Sequence, residues 1–177
     1  GLAHLPILGI CSDCPEILKP WLTGGDGLPQ VVCHRGANFV APENTLIAAS
    51  ICISQGFDIV EIDVRTTADG EIVLMHDATV DRTTNGKGLV RDLSLEQIQQ
   101  LDAGSSYSEM YKGTGVPTLD EFLEHCRGCC GVYVEIKDAD PDQVLEKVVN
   151  HEMLDKVFFW CRNRDVMKRM RSLEPQA

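Results

Sequence analysis

Residues 58–67 read DIVEIDVRTT. Val60, Ile62 and Val64 alternate with Glu61, Asp63 and Arg65, which is the period-two pattern of a β-strand with one aliphatic face. The other face carries two acids two positions apart. Two carboxylates on one face of a buried strand repel each other, and in a dry core at least one is driven to protonate. A chain with this strand must therefore bring a countercharge to it. A bound cation would serve, and so would basic partners such as Arg65 and Lys137, although buried ion pairs of that kind add little net stability. Taken alone, the strand leaves both answers open.

Other strand-like runs surround it: VVCH at 31–34, EIVLMH at 71–76, VYVEIK at 132–137 and KVFFWC at 156–161. Helical patterns lie between and after them, at 44–56, 94–101, 118–126, 141–151 and 163–173. Asn44 or Thr45 suits the first helix start and Gly56 its end. Ser94 with Gln97 three residues on forms a capping box, and Pro141 opens its helix. Alternating strands and helices predict an α/β fold with a parallel sheet. Residues 1–30 read as an irregular lead-in with one helical turn near Glu16–Trp21. Residues 31–177 read as the domain proper.

Each strand ends in chemistry. His34 closes the first, Glu61 and Asp63 lie late in the second, His76 closes the third, and Glu135 and Lys137 close the fourth. Parity puts Glu135 and Lys137 on one face and Val132, Val134 and Ile136 on the other. A polar face at the C-terminal strand ends is where a (β/α) barrel or an open α/β sheet keeps its active site. The agreement of four strands favours the cation over simple ion pairs. Glu61, Asp63 and Glu135 offer only hard oxygen ligands, which suit one Mg²⁺ or Ca²⁺ rather than zinc.

The net charge of −11 makes the chain a poor partner for nucleic acid or an anionic membrane surface. No run approaches the roughly 18 apolar residues needed to span a bilayer, and the opening GLAHLPILGI lacks the basic start of a signal peptide. Of the eight cysteines, Cys33, Cys52 and Cys161 read as small buried hydrophobes. Cys11 and Cys14 form one C-x-x-C, and Cys126 and Cys129, with Cys130 adjacent, form another. They lie too far apart for a compact zinc module and no histidine is spaced to help. Reduced thiols and a cytoplasmic setting are the expectation. His4, His125 and His151 are expected on the surface or in helices.

The segments HRGANFVAPENT, EIDVRTTADGEIVLMHDATVDRTTNGKG, LDAG, VPTLDEFL and VEIK, in this order, resemble the glycerophosphodiester phosphodiesterase family. The likeness runs from about Val31 to Lys137 and more faintly to Leu173. It implies a TIM (β/α)8-type barrel and a metal-dependent hydrolase that splits glycerophosphodiesters into glycerol 3-phosphate and an alcohol. By the same resemblance His34 and His76 are the acid/base pair, Glu61, Asp63 and Glu135 hold the divalent cation, and Arg35 and Lys137 contact the phosphate. The stretch 77–117 matches an insertion after the third strand, with a tight turn at Asn85-Gly86.

Glu43 either braces Arg35 or His34 or serves the helix start. Asp77 either supports His76 or is a turn acid. A TIM barrel has eight βα units and about 250 residues, whereas five units are visible here. A fragment of a longer protein, a short variant and further residues that complete the barrel are the competing accounts, and exposed barrel edges invite self-association. Two alternatives accompany the main reading: a sphingomyelinase-D-like phospholipase, and an inactive barrel fragment that binds.

Overall fold

The structure is a computed structural model that describes residues 9–15 and 30–173. Five parallel strands form its centre: β1 (Gly9–Ser12), β2 (Gln30–Cys33), β3 (Ile59–Thr66), β5 (Gly131–Asp138) and β6 (Val157–Trp160). They lie side by side in chain order. β4 (Ile72–Leu74) is off this path and pairs with β3. Helices α1 (Leu46–Ser54), α3 (Leu119–Cys126), α4 (Pro141–Asn150) and α5 (Arg164–Leu173) follow β2, β4, β5 and β6, and each packs beside the next. A short α2 (Leu95–Gln99) belongs to the segment between β4 and α3. Strands in sequence order under one layer of helices are the winding of a TIM barrel, here five strands of it.

Strand parity decides which side chains meet those helices. Val60, Ile62 and Val64 of β3 and Val132, Val134 and Ile136 of β5 are buried in one core. Ala49 and Cys52 of α1, Phe122 and Leu123 of α3, and Val144 and Val148 of α4 fill that core from the helix side. The opposite strand face holds Glu61, Asp63, Tyr133, Glu135 and Lys137. Local signals set the helix boundaries. Thr118 and Glu121 form a capping box at α3, Ser94 and Gln97 do so at α2, and Asp140 with Pro141 begins α4.

Two expectations need correction. Residues 71–76 are expected as a third parallel strand, yet β4 runs antiparallel to β3, with Val64 opposite Leu74 and Thr66 opposite Ile72. The reason is the connection. Thr67 to Glu71 closes as a tight turn, with Thr67 N–H on Glu71 O at 2.8 Å and Gly70 at φ +90°, and a parallel return needs a dozen residues or more. Residues 9–12 are expected as irregular lead-in, yet they form β1, in register with Gln30–Cys33. The helical turn expected near residues 16–21 lies outside the described residues.

β4 begins a second, smaller core. Val73, Met75, Val80, Val90, Ile98, Ala103 and Val116 pack together beneath the 77–117 segment. This segment therefore has its own apolar support and is tied to the sheet through Leu74 N–H on Pro117 O at 2.9 Å. No helix among the described residues is long and apolar enough to cross a membrane.

Candidate active site

The chain leaves β2 through a strained turn. Arg35 and Gly36 both lie in the left-handed region, at φ +54° and +80°. A side chain on Gly36 would put its Cβ 2.7 Å from Ala48 Cβ, so the turn presses directly on α1. Gly36→Ala is expected to lower the melting temperature by about 5–10 °C, from about 2–3 kcal/mol of backbone strain and overpacking. A thermal melt checks this, and an unchanged midpoint would contradict the close approach. The turn aims the Arg35 backbone N–H at Glu61 Oε2, 2.6 Å away. Left-handed backbone at a non-glycine residue is the kind of strain that persists where other contacts hold it.

Glu61, Asp63 and Glu135 converge. One carboxylate oxygen from each lies within 4.8 Å of the others. β3 and β5 are adjacent with Asp63 opposite Glu135, so strand parity and register suffice to bring the three together. Glu61 and Asp63 are 2% and 0% exposed. Asn44, also at positive φ, fixes Asp63 from two sides: its Nδ2 donates to Asp63 Oδ2 at 2.9 Å and its Oδ1 accepts Asp63 N–H at 3.1 Å. Thr45, not Asn44, caps α1.

Of the two basic partners raised by the sequence, only Lys137 bears on this cluster. Lys137 Nζ is 3.2 Å from Asp63 Oδ1 and also pairs with Glu135. Arg65 turns away and donates to the His76 carbonyl at 2.8 and 3.1 Å. Arg35 takes its place, with Nε 3.3 Å from Asp63 Oδ2. These two cations face three carboxylates. Glu61 Oε1 and Asp63 Oδ1 are buried and accept no aligned hydrogen bond, the Lys137 approach included. Buried carboxylate oxygens left with free lone pairs fit a hard divalent cation.

Burial, and then the neighbouring Asp63, push Glu61 up to about 8. A carboxyl raised in this way favours the folded state below its ordinary value of 4.5. That stability drains as the pH climbs towards 8, because the folded state must then ionise a buried group. In chelator, the melting temperature of the protein is expected to fall between pH 5 and pH 8. Glu61→Gln should flatten that fall and raise the pH 8 midpoint by about 5 °C. A pH-independent midpoint in the wild type would contradict the buried acid.

Each histidine leans on its own carboxylate. His76 Nδ1 is 2.7 Å from Asp77 Oδ1, and His34 Nδ1 is 2.5 Å from Asp13 Oδ1, which also accepts from Asn38 Nδ2 at 2.7 Å. An acceptor at Nδ1 holds the proton there and leaves Nε2 as the working nitrogen. Asn38, and then His34, hold the Asp13 carboxyl below its usual range. Asp77 is held well below it by Arg82 and then His76, against some opposing burial. Sequence reasoning missed Asp13 because β1, which ends beside it, has no alternation to mark it.

The helix start is capped by Thr45, which accepts from Ala48 N–H, and not by Glu43. Glu43 accepts from Arg35 Nη1 at 3.1 Å, so it braces that guanidinium. His125 bonds Ser50 at 2.9 Å and His151 bonds Asp120 at 3.0 Å, both between helices, and His4 lies outside the described residues. All eight thiols are free. Among the described residues, no cysteine joins a cluster of three metal-ligating groups.

Comparison with known proteins adds an independent line. Residues 34–174 match the model of the glycerophosphoryl diester phosphodiesterase family. A glycerophosphodiester phosphodiesterase of Caldanaerobacter subterraneus is 48% identical over 94 residues, covering 53% of this chain and 39% of the relative. The glycerophosphodiester phosphodiesterase structure from Agrobacterium tumefaciens superposes with a TM-score of 0.80 at 43% identity, covering 83% of this chain and 64% of that one. A phosphodiesterase from Oleispira antarctica, solved with the product sn-glycerol-3-phosphate, superposes with a TM-score of 0.79 at 34% identity, covering 84% of this chain and 63% of that one. The chain thus spans less than two thirds of each relative. With the motifs and the strand winding in agreement, it belongs to the glycerophosphoryl diester phosphodiesterase family.

Proposed function

We propose that the site hydrolyses glycerophosphodiesters to glycerol 3-phosphate and an alcohol, with one divalent cation, Mg²⁺ or Ca²⁺, held by Glu61, Asp63 and Glu135. The observation that carries this reading is the convergence of three acids with two buried carboxylate oxygens, Glu61 Oε1 and Asp63 Oδ1, that accept no hydrogen bond. The product bound in the Oleispira antarctica relative supports the substrate class.

When bound, the cation supplies Lewis-acid neutralisation of charge on a non-bridging phosphate oxygen. Arg35 grips the phosphate through its planar fork while Glu43 holds the far side of the guanidinium. Lys137 adds a point charge from β5. One of His34 and His76 takes a proton through Nε2 from the nucleophile, which is water or the glycerol hydroxyl next to the phosphate. The other gives a proton to the departing alcohol oxygen. Asp13 and Asp77 each hold one ring by its Nδ1, which fixes its orientation and leaves Nε2 for the proton transfers. In the water route, the P–O(alcohol) bond breaks as the P–O(water) bond forms; one imidazole takes a proton from the water, the other gives one to the departing alcohol oxygen, and exchange with solvent restores both rings.

A coupled assay for glycerol 3-phosphate with glycerophosphocholine tests this. Release that stops in chelator and returns with Mg²⁺ or Ca²⁺ is expected. Release indifferent to chelator, or cleavage of sphingomyelin in preference to glycerophosphocholine, would contradict it.

Self-association belongs to the same reading. Phe158 and Trp160, opposite Tyr133 and Glu135, lie on the inner face of β6 and are 53% and 38% exposed. Large apolar side chains exposed on the edge strand of the described sheet invite a second copy. Sizing chromatography is expected to show a concentration-dependent dimer that Trp160→Glu weakens. A monomer at all concentrations would count against it.

A further inference from the structure

The 77–117 segment sends one side chain back towards the histidines and Arg35. Arg82 lies between two carboxylates, and each of these holds a residue of the proposed machinery. Its Nε and Nη2 donate to Asp77 Oδ2 and Oδ1 at 2.7 and 3.2 Å. Its Nη1 and Nη2 donate to Glu43 Oε2 and Oε1, both at 2.8 Å. Asp77 Oδ1 also meets His76 Nδ1, and Glu43 Oε1 also accepts from Arg35 Nη1. The chain of contacts His76–Asp77–Arg82–Glu43–Arg35 is therefore continuous.

We infer that Arg82 is a positioning residue that locks His76 and Arg35 into one arrangement. The inference rests on the functional reading above. Two observations and one electrostatic argument carry it. A guanidinium has five N–H donors, and Arg82 uses four of them on these two acids. It has one left, too few for a forked grip on substrate. Without Arg82, Glu43 and Asp77 would face each other as like charges and turn apart, taking their partners with them. The backbone at Arg82 is itself pinned: Thr84 Oγ1 and Thr84 N–H both donate to Val80 O, at 2.7 and 3.1 Å, and Ser106 Oγ donates to Thr83 O at 2.7 Å. Val80 belongs to the smaller core. The segment's apolar packing thus reaches the proposed machinery through Arg82.

The test is steady-state kinetics on glycerophosphocholine at saturating cation, with Arg82→Ala, Arg82→Lys and Glu43→Gln/Asp77→Asn backgrounds. Arg82→Ala is expected to lower kcat/KM about 10- to 100-fold, raising KM through Arg35 and lowering kcat through His76. Arg82→Lys should recover little, since a point charge cannot bridge two carboxylates in a fork. In the Glu43→Gln/Asp77→Asn background, Arg82→Ala should cost less than about threefold, because its route of action is already gone. An equal loss in both backgrounds, or full recovery by lysine, would overturn the inference.

Nuclear magnetic resonance of the His76 ring separates this from failure of the functional reading. The His76 Nδ1–H signal should be protected in the wild type and lost in Arg82→Ala and Arg82→Lys, whether or not the protein turns over. A folded Arg82 variant with unchanged His76 signals sinks the lock. A wild type without turnover sinks only the activity.

Discussion

Glu61→Ala is expected to reduce glycerol 3-phosphate release by about a thousandfold or more, at any concentration of Mg²⁺ or Ca²⁺ the protein tolerates. The size follows from position. Glu61 contributes one of three carboxylates to the cluster, and one of its oxygens has no other use in the fold. Removing a preorganised electrostatic contact at a reacting phosphate costs about 10²–10³ in rate. Loss of a ligand also weakens the hold on the cation itself. Glu61 Oε2 additionally anchors the Arg35 backbone N–H at 2.6 Å, so the variant loosens the turn that presents Arg35. Glu61→Gln separates these effects: the amide oxygen can keep the Arg35 contact but carries no charge for the cation. The two variants should therefore be similarly inactive, and Gln should be the more stable fold in chelator. A Glu61→Gln protein with wild-type rates would remove the acid cluster from the mechanism.

The second large effect concerns the imidazoles. His34→Ala and His76→Ala are each expected to lower kcat by about 10²–10⁴, the range of general acid–base catalysis. Cation affinity should stay near wild type in both, because neither ring belongs to the acid cluster. The pH profile distinguishes the roles. A bell-shaped profile should lose its acidic limb when the base is removed and its alkaline limb when the acid is removed. Asp13→Asn and Asp77→Asn should cost less, about tenfold each, since they leave the ring in place and disturb only its tautomer and aim. A His34→Ala variant with an unchanged profile would take His34 out of the proton traffic.

The parts of this site that lie on regular strands were readable from parity alone. Glu61, Asp63 and Glu135 meet because β3 and β5 are neighbours in register and all three residues share a face. The turn residues were harder to read. Asn44 looked like a helix cap because asparagine is good at that work; its left-handed backbone instead turns the side chain onto Asp63. β4 carried a strand composition, but its direction depended on the length of the turn before it, which the alternation does not encode. Asp13 and Arg82 had no local signature. Each matters only through a partner at least five residues away, across a sheet edge or an inserted segment. β1 was overlooked because four residues without alternation carry too little pattern to announce a strand.

Calorimetric titration of Mg²⁺ and Ca²⁺ into the chelator-treated protein, in buffers of different ionisation enthalpy, tests the account most directly. A single site per chain is expected, with proton release near pH 7 as Glu61 gives up its proton from a value of about 8. Asp63→Asn should abolish both the binding and the proton release. Undiminished binding in Asp63→Asn, or no binding to the wild type, would contradict the claim that these carboxylates were brought together for a cation.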